Sequence, residues 1–142
     1  MAINYTVIDV EQAIGEASRV SQWIREAIIE ENYRLGEITI ALCSDSYIHN
    51  ENVRFLGHDC ATDIITFDYS KRGKLSGDLL ISVETVAANA QEYGVSFDEE
   101  LMRVVIHGVL HMCGYGDKEE QEQMVMRSRE DYYLEKLFHV KL

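Results

Sequence analysis

The chain of 142 residues contains no proline, so its breaks have to be read from glycine and from helix-capping residues. No apolar run approaches the ~20 residues that span a bilayer, which argues against a membrane-spanning helix. Met1 to Val10 lacks the basic patch and apolar core of a secretory signal. Cysteine is scarce. Cys43, Cys60 and Cys113 are odd in number and lack ligand-like spacing, so they read as reduced thiols of a cytoplasmic protein. Basic residues are scarce too: 13 Lys and Arg against 25 Asp and Glu leave a net charge of −12. The broad basic footprint of a nucleic-acid binder is therefore missing. An RNA ligand would need a local basic patch, or a large partner that presents it.

What is present indicates one globular domain over residues 1–142, with 46% hydrophobic residues and no repeat, low-complexity run or linker. Alternation predicts strands at Ile3 to Ile8, Ile38 to Leu42, Asp63 to Tyr69 and Gly77 to Val83, with a turn around Gly73 joining the last two. Asp9 and Gln12 resemble a capping box opening a helix through Ala13, Ala17, Val20, Ile24 and Ile28, which Gly36 stops. Asp45 reads as the cap of a short helix toward Phe55. Glu84 to Tyr93 reads as a helix ended by Gly94. Ser96 and Glu99 open a helix to about Cys113, and a charged helix runs from Lys118 to about Leu137. Four strands in a mixed sheet and about five helices predict an α+β (α/β layer) fold, with a metal site on a buried helix.

The helix after Ser96 carries the chemistry. From Leu101 to Cys113 only Arg103, His107, Gly108 and His111 are not apolar, and Arg103, His107 and His111 fall at i, i+4, i+8. They form one polar stripe on a helix that is otherwise buried, so the stripe must face a cavity or satisfied partners. Two imidazoles one turn apart can turn ring nitrogens toward one point, as a tetrahedral metal requires. Gly114 then breaks the helix and lets the chain bring Asp117 over the same point. The spacing His107-x3-His111-x2-Gly114-x2-Asp117 is that of metzincin ligands with a carboxylate third. The plainer reading makes the histidines a wet helix face and Asp117 the cap of the terminal helix. Cys113 follows Met112 on the apolar face and reads as core; Met124 and Met126 read as core contacts. Glu119 to Glu122 reads as a solvated helix start. Zincin proteases place a glutamate general base after the first histidine, and here that residue is Gly108. No catalytic residue beyond the metal ligands is identifiable.

His107-Gly108-Val109-Leu110-His111 with Gly114-Tyr115 resembles the H-G-x-L-H-x-x-G-Y signature of the YbeY family. Asp59-Cys60-Ala61-Thr62-Asp63-Ile64-Ile65-Thr66-Phe67 is similar to that family's D-x-P-T-D-V-L-S-F, and Gly77 to Ser82 to its G-D-I-x-I-S. The resemblance implies a single-strand-specific, metal-dependent endoribonuclease that matures small-subunit rRNA and serves ribosome quality control. It implies RNA as partner, ribosome association, and no membrane or DNA. Three departures stand out. The family's third ligand is a histidine where this chain has Asp117. Its loop proline is Ala61, and its arginine three residues before the loop aspartate falls on Leu56. Two histidines and a carboxylate suit one zinc ion, with iron or nickel left open. Arg54 could replace the missing arginine or simply face solvent. Arg103 reads as a partner of Glu99 or Glu100. Thr62 and Asp63 could orient His58 or a water at the metal, or cap a strand. The alternatives to a nuclease are a zincin-like metallopeptidase, which Gly108 opposes, and a ribosome-assembly binding protein whose metal is structural.

Overall fold

The structure is a computed structural model that describes residues 2–57 and 62–138. Its elements are β1 (Ala2–Ile8), α1 (Ala17–Glu30), β2 (Arg34–Cys43), α2 (Asp45–Glu51), a π-helical turn (Asn52–Leu56), β3 (Ile64–Asp68), β4 (Lys74–Ser82), α3 (Val83–Tyr93), α4 (Phe97–Met112) and α5 (Glu120–Phe138). The strands form one mixed sheet in the order β1-β2-β4-β3. β1 and β4 each run parallel to β2, and β3 returns antiparallel to β4. The predicted α+β architecture is the observed one. Arg72 and Gly73 both take positive φ in a two-residue turn between β3 and β4, the geometry that matches strand twist.

Alternation along the strands sorts side chains to two faces. Ile38, Ile40, Leu42, Leu79 and Ile81 point into the main core, which α1, α4 and α5 cover. Ala41, Cys43, Ile65 and Leu80 point to the other face, where Ile48 and Tyr47 of α2 pack. α4 is the central helix of the main core, with ten of its sixteen residues buried. α1 and α5 are tied together by the Trp23 indole, which donates to the Tyr133 carbonyl at 2.7 Å.

Several boundaries differ from the sequence reading. Asp9 takes φ 54, incompatible with an extended N-cap, and its carboxylate accepts from the Ser44 amide and hydroxyl instead. The capping box is therefore absent, and α1 begins after Glu16, leaving Ala13 outside it. That helix ends at Glu30, and Asn32 takes the left-handed position that stops it. Gly36 lies inside β2 at a register irregularity, where a Cβ would sit 2.1 Å from the Ser76 hydroxyl. Ser44, not Asp45, caps α2, accepting from the Tyr47 amide at 3.1 Å. Gly94 ends α3 as expected, with φ 70. Met126 is core, whereas Met124 is 67% exposed.

Gly77 packs so closely across the β3–β4 pair that a Cβ would lie 2.2 Å from the Phe67 carbonyl oxygen. Backbone cannot yield as a side-chain end can. Gly77→Ala is expected to cost about 1–3 kcal/mol, read as a lower thermal midpoint with the metal content of the folded protein unchanged.

Candidate metal centre

α4 begins as its sequence dictates: the Ser96 hydroxyl accepts from the Glu99 amide at 3.1 Å, and three acidic residues occupy the first turn. Its end sets up the site. Gly114 takes φ 102, its amide donates to the His111 carbonyl, and the Tyr115 amide donates to the Leu110 carbonyl. That pair of bonds is a Schellman closure, and it reverses the chain over the last turn of the helix. Glu122 then accepts from the amides of Lys118 and Glu119, while the Gln123 side chain donates to the Asp117 carbonyl. Asp117 is held against the helix it has just left.

Three donor atoms converge as a result. His107 Nε2 and His111 Nε2 are 3.0 Å apart, and Asp117 Oδ2 lies 3.3 Å from the first and 3.1 Å from the second. Each imidazole has its other nitrogen engaged: Nδ1 of His107 faces Glu130 Oε2 at 2.6 Å, and Nδ1 of His111 faces the Tyr115 carbonyl at 2.8 Å. A carbonyl accepts, and a carboxylate does the same, so each Nδ1 is the nitrogen that carries a proton, and in the neutral ring each Nε2 then presents its lone pair. Two lone pairs and a carboxylate oxygen facing one another about 3 Å apart repel unless a cation lies between them. A tetrahedral ion at 2.0–2.1 Å from each donor needs a donor spacing of about 3.3 Å, close to what is observed. The three residues fit a divalent metal. The side chains of His107, His111 and Asp117 remain 25%, 28% and 41% exposed, so one side of the triangle is open.

The surroundings are acidic and partly buried. Burial lowers the His107 pKa, but the hydrogen bond and charge of Glu130, with Asp117 and Asp63, outweigh it and the net shift is upward. Burial raises the Asp63 carboxyl, opposed by His107. Burial likewise raises Glu100, against the pull of Arg103, with Asp63 and Glu130 adding to the rise. Beside the histidines a cavity of about 400 Å³ opens between α3, α4 and α5, bordered by Asp63, Glu100, His107, Asp117 and Glu130 among others.

Among the described residues His107, His111 and Asp117 are the group of three that could hold a metal. Arg103 pairs with Glu130 and Asp131 of α5 at 2.9 and 2.7 Å, and not with Glu99 or Glu100, because its side chain leans across to the neighbouring helix. Cys113 is buried and its thiol is pushed up to about 12 by desolvation, consistent with core packing. Thr62 donates to the Ile64 carbonyl, a local strand-start bond. Arg54 is exposed on the π-helical turn, with its charge felt by Tyr47, and does not border the cavity. His58, Asp59, Cys60 and Ala61 lie outside the described residues, as does the side chain of Leu56. Glu130, only 5% exposed, was not foreseen, since it stands in a charged stretch of a helix with no apolar periodicity.

The fold and the motifs agree with what the chain is similar to. The family model described as Endoribonuclease YbeY matches residues 5–138. The chain belongs to the YbeY family. A Flavobacterium psychrophilum relative named Endoribonuclease YbeY is 45% identical over 141 residues, covering 99% of this chain and 98% of its own. One of the same name from Bacteroides thetaiotaomicron is 42% identical, with coverage of 92% and 96%. A solution structure of a Thermotoga maritima protein shares the fold with a TM-score of 0.68 at 24% identity, over 97% of this chain and 90% of that one.

Two predictions follow from these contacts. Glu130→Gln removes the anion that fixes His107, and should weaken zinc affinity roughly 10–100-fold in a chelator competition, the usual cost of losing such a partner. Glu100 has a folded-state pKa above its unfolded one, so its contribution favours folding at low pH and is lost as pH rises through the folded value. Glu100→Gln should therefore raise the thermal midpoint of chelated protein at neutral pH, with the gain fading as pH falls through the raised folded value and gone below the unfolded value of about 4.3.

Proposed function

We propose that this chain is an endoribonuclease that cuts single-stranded RNA, with small-subunit rRNA as substrate, and that His107, His111 and Asp117 hold one divalent transition-metal ion. The observation that carries the proposal is the triangle of three donor atoms, open on one side, in a chain of the YbeY family. Zinc is the first choice of ion, because two imidazoles and a carboxylate with an open position form a common catalytic zinc set. Iron and nickel accept the same donors. When bound, such an ion polarises a phosphodiester oxygen and acidifies a water. The protein's part is to keep the donors in one tautomer and place. Glu130 and the Tyr115 carbonyl hold the Nδ1 protons, and the Schellman closure holds Asp117.

The peptidase reading is opposed by the packing at position 108. A Cβ on Gly108 would lie 2.8 Å from Ile64 Cδ1 and 2.9 Å from Leu79 Cδ2. A side chain here would start toward the sheet and have to displace the ends of Ile64 and Leu79, and this chain carries no glutamate at the position where a zincin has its base. A purely structural metal is opposed by the set of three donors found among the described residues, since structural zinc sites are closed by four protein ligands. No described helix is long and apolar enough to cross a membrane. Buried, unpaired Cys43 and Cys113 accord with the reducing cytoplasm proposed for it. With a net charge of −12, the chain relies on its metal, on local cations and on a ribosomal partner to keep RNA close.

Purified protein never exposed to chelator should hold close to one transition-metal ion per chain by elemental analysis. His111→Ala should lose most of it, and Asp117→Asn should bind it more weakly because the one anionic donor is gone. Single-stranded RNA should be cut, with chelation or His107→Ala stopping the reaction, and unfolded casein should be left intact. Full cleavage by His107→Ala would sink the assignment.

A further inference from the structure

The cavity beside the metal donors has walls that the chemistry at the metal does not require. α3 supplies Asn89 and Tyr93, one turn apart on one face, and α5 supplies Gln123 and Arg127 opposite them. Glu100 of α4 borders the same space, and His107 stands at its metal-side end. Tyr93 is 60% exposed although it is a large aromatic. Glu100 is only 5% exposed, yet its carboxyl makes no hydrogen bond with any described residue. The residue is buried as a whole but its carboxyl reaches the cavity, where it can accept a hydrogen bond from a group that enters. Arg127 lies exposed at the rim and makes no hydrogen bond or ion pair among the described residues.

We propose that this cavity is a subsite for one unpaired nucleobase of the RNA strand beside the cleaved phosphate, stacked on Tyr93 and read at its amino edge by Glu100. The inference rests on the nuclease reading above. About 400 Å³ is within the range of small-molecule sites and admits a base with its sugar. The occupant is the base and not a phosphate, because the carboxyls of Asp63, Glu100, Asp117 and Glu130 outnumber Arg103 and Arg127 around the space and favour a neutral group over an anion. The phosphate stays on the metal side, with Arg127 free to meet the backbone at the rim. Unpaired bases are recognised by stacking on exposed aromatics and by hydrogen bonds to their edges. A carboxyl that accepts hydrogen bonds favours adenine, cytosine and guanine, which carry an exocyclic amino group. Uracil offers one N–H between two carbonyls, and those oxygens face the carboxyl unfavourably. Asn89, whose amide bonds to no other described residue, supplies a second polar contact.

The test uses the full chain loaded with its metal and measures two things. Binding of AMP, CMP, GMP and UMP is titrated, and cut sites are mapped on single-stranded oligoribonucleotides carrying each base on either side of the scissile bond. Wild type should disfavour uracil at one of those two positions. Tyr93→Ala should weaken all four nucleotides roughly tenfold, the scale of one lost stacking contact, with metal content unchanged. Glu100→Gln, which keeps shape but changes the acceptor, should remove the bias against uracil at the mapped position. Equal cutting beside all four bases by wild type, or wild-type nucleotide affinity in Tyr93→Ala, would overturn the subsite while leaving the nuclease assignment standing. Exposed Tyr93 decides the matter independently of Glu100. A metal-loaded wild type that cuts none of the oligonucleotides would instead overturn the nuclease reading, and the subsite with it.

Discussion

The burial of α4 is the constraint on which the rest depends. Leu101, Val105, Ile106, Val109 and Leu110 are almost wholly hidden, so any polar group the helix carries must find a partner within the protein or at its one open face. Arg103 finds Glu130 and Asp131, His107 finds Glu130, and His111 finds the Tyr115 carbonyl. Those bonds use the outer nitrogen of each imidazole. The inner nitrogens are left facing each other and Asp117, and that forced encounter is what would let the three hold a metal ion.

Glu130 links the two halves of this arrangement. One oxygen meets Arg103 and the other meets His107, so a single buried carboxylate joins α5 to the polar stripe of α4. A charge so deeply placed is tolerable because both oxygens are paired. On the far side of α5, Glu31 collects the hydroxyls of Tyr115 and Tyr133 and the Arg129 guanidinium. Through Tyr115 that cluster bears on the carbonyl that orients His111. The helix therefore sits between two carboxylate-centred networks, each ending on a different histidine ring.

The acidity of the chain takes on a definite local form. Around the cavity the carboxyls of Asp63, Glu100, Asp117 and Glu130 outnumber the two arginines, Arg103 and Arg127, so the region favours a cation over an anion. A divalent ion would bring the set near neutrality. Part of the chain's net charge of −12 is thus gathered where a cation would offset it.

Period and spacing alone determined the strand set, the helix count, the glycine stops at Gly94 and Gly114, and the three convergent donors His107, His111 and Asp117. These are local properties: alternation, one-turn repeats and a left-handed break act within about a dozen residues. Where the reading erred, a distant partner had intervened. Asp9 was drawn off its expected cap by Ser44, 35 positions away, and Gly36 answers to Ser76 rather than to the helix before it. Arg103 paired across to α5, although Glu99 and Glu100 were nearer in sequence. The burial of Glu130 and Glu100 has no signature in the sequence, because nothing in a charged stretch records which face a neighbouring helix will cover. Sequence thus decided which atoms could bind a metal; only the tertiary structure decided which proton each histidine keeps and which carboxyls stand in the dark beside them, since those depend on contacts made across the core.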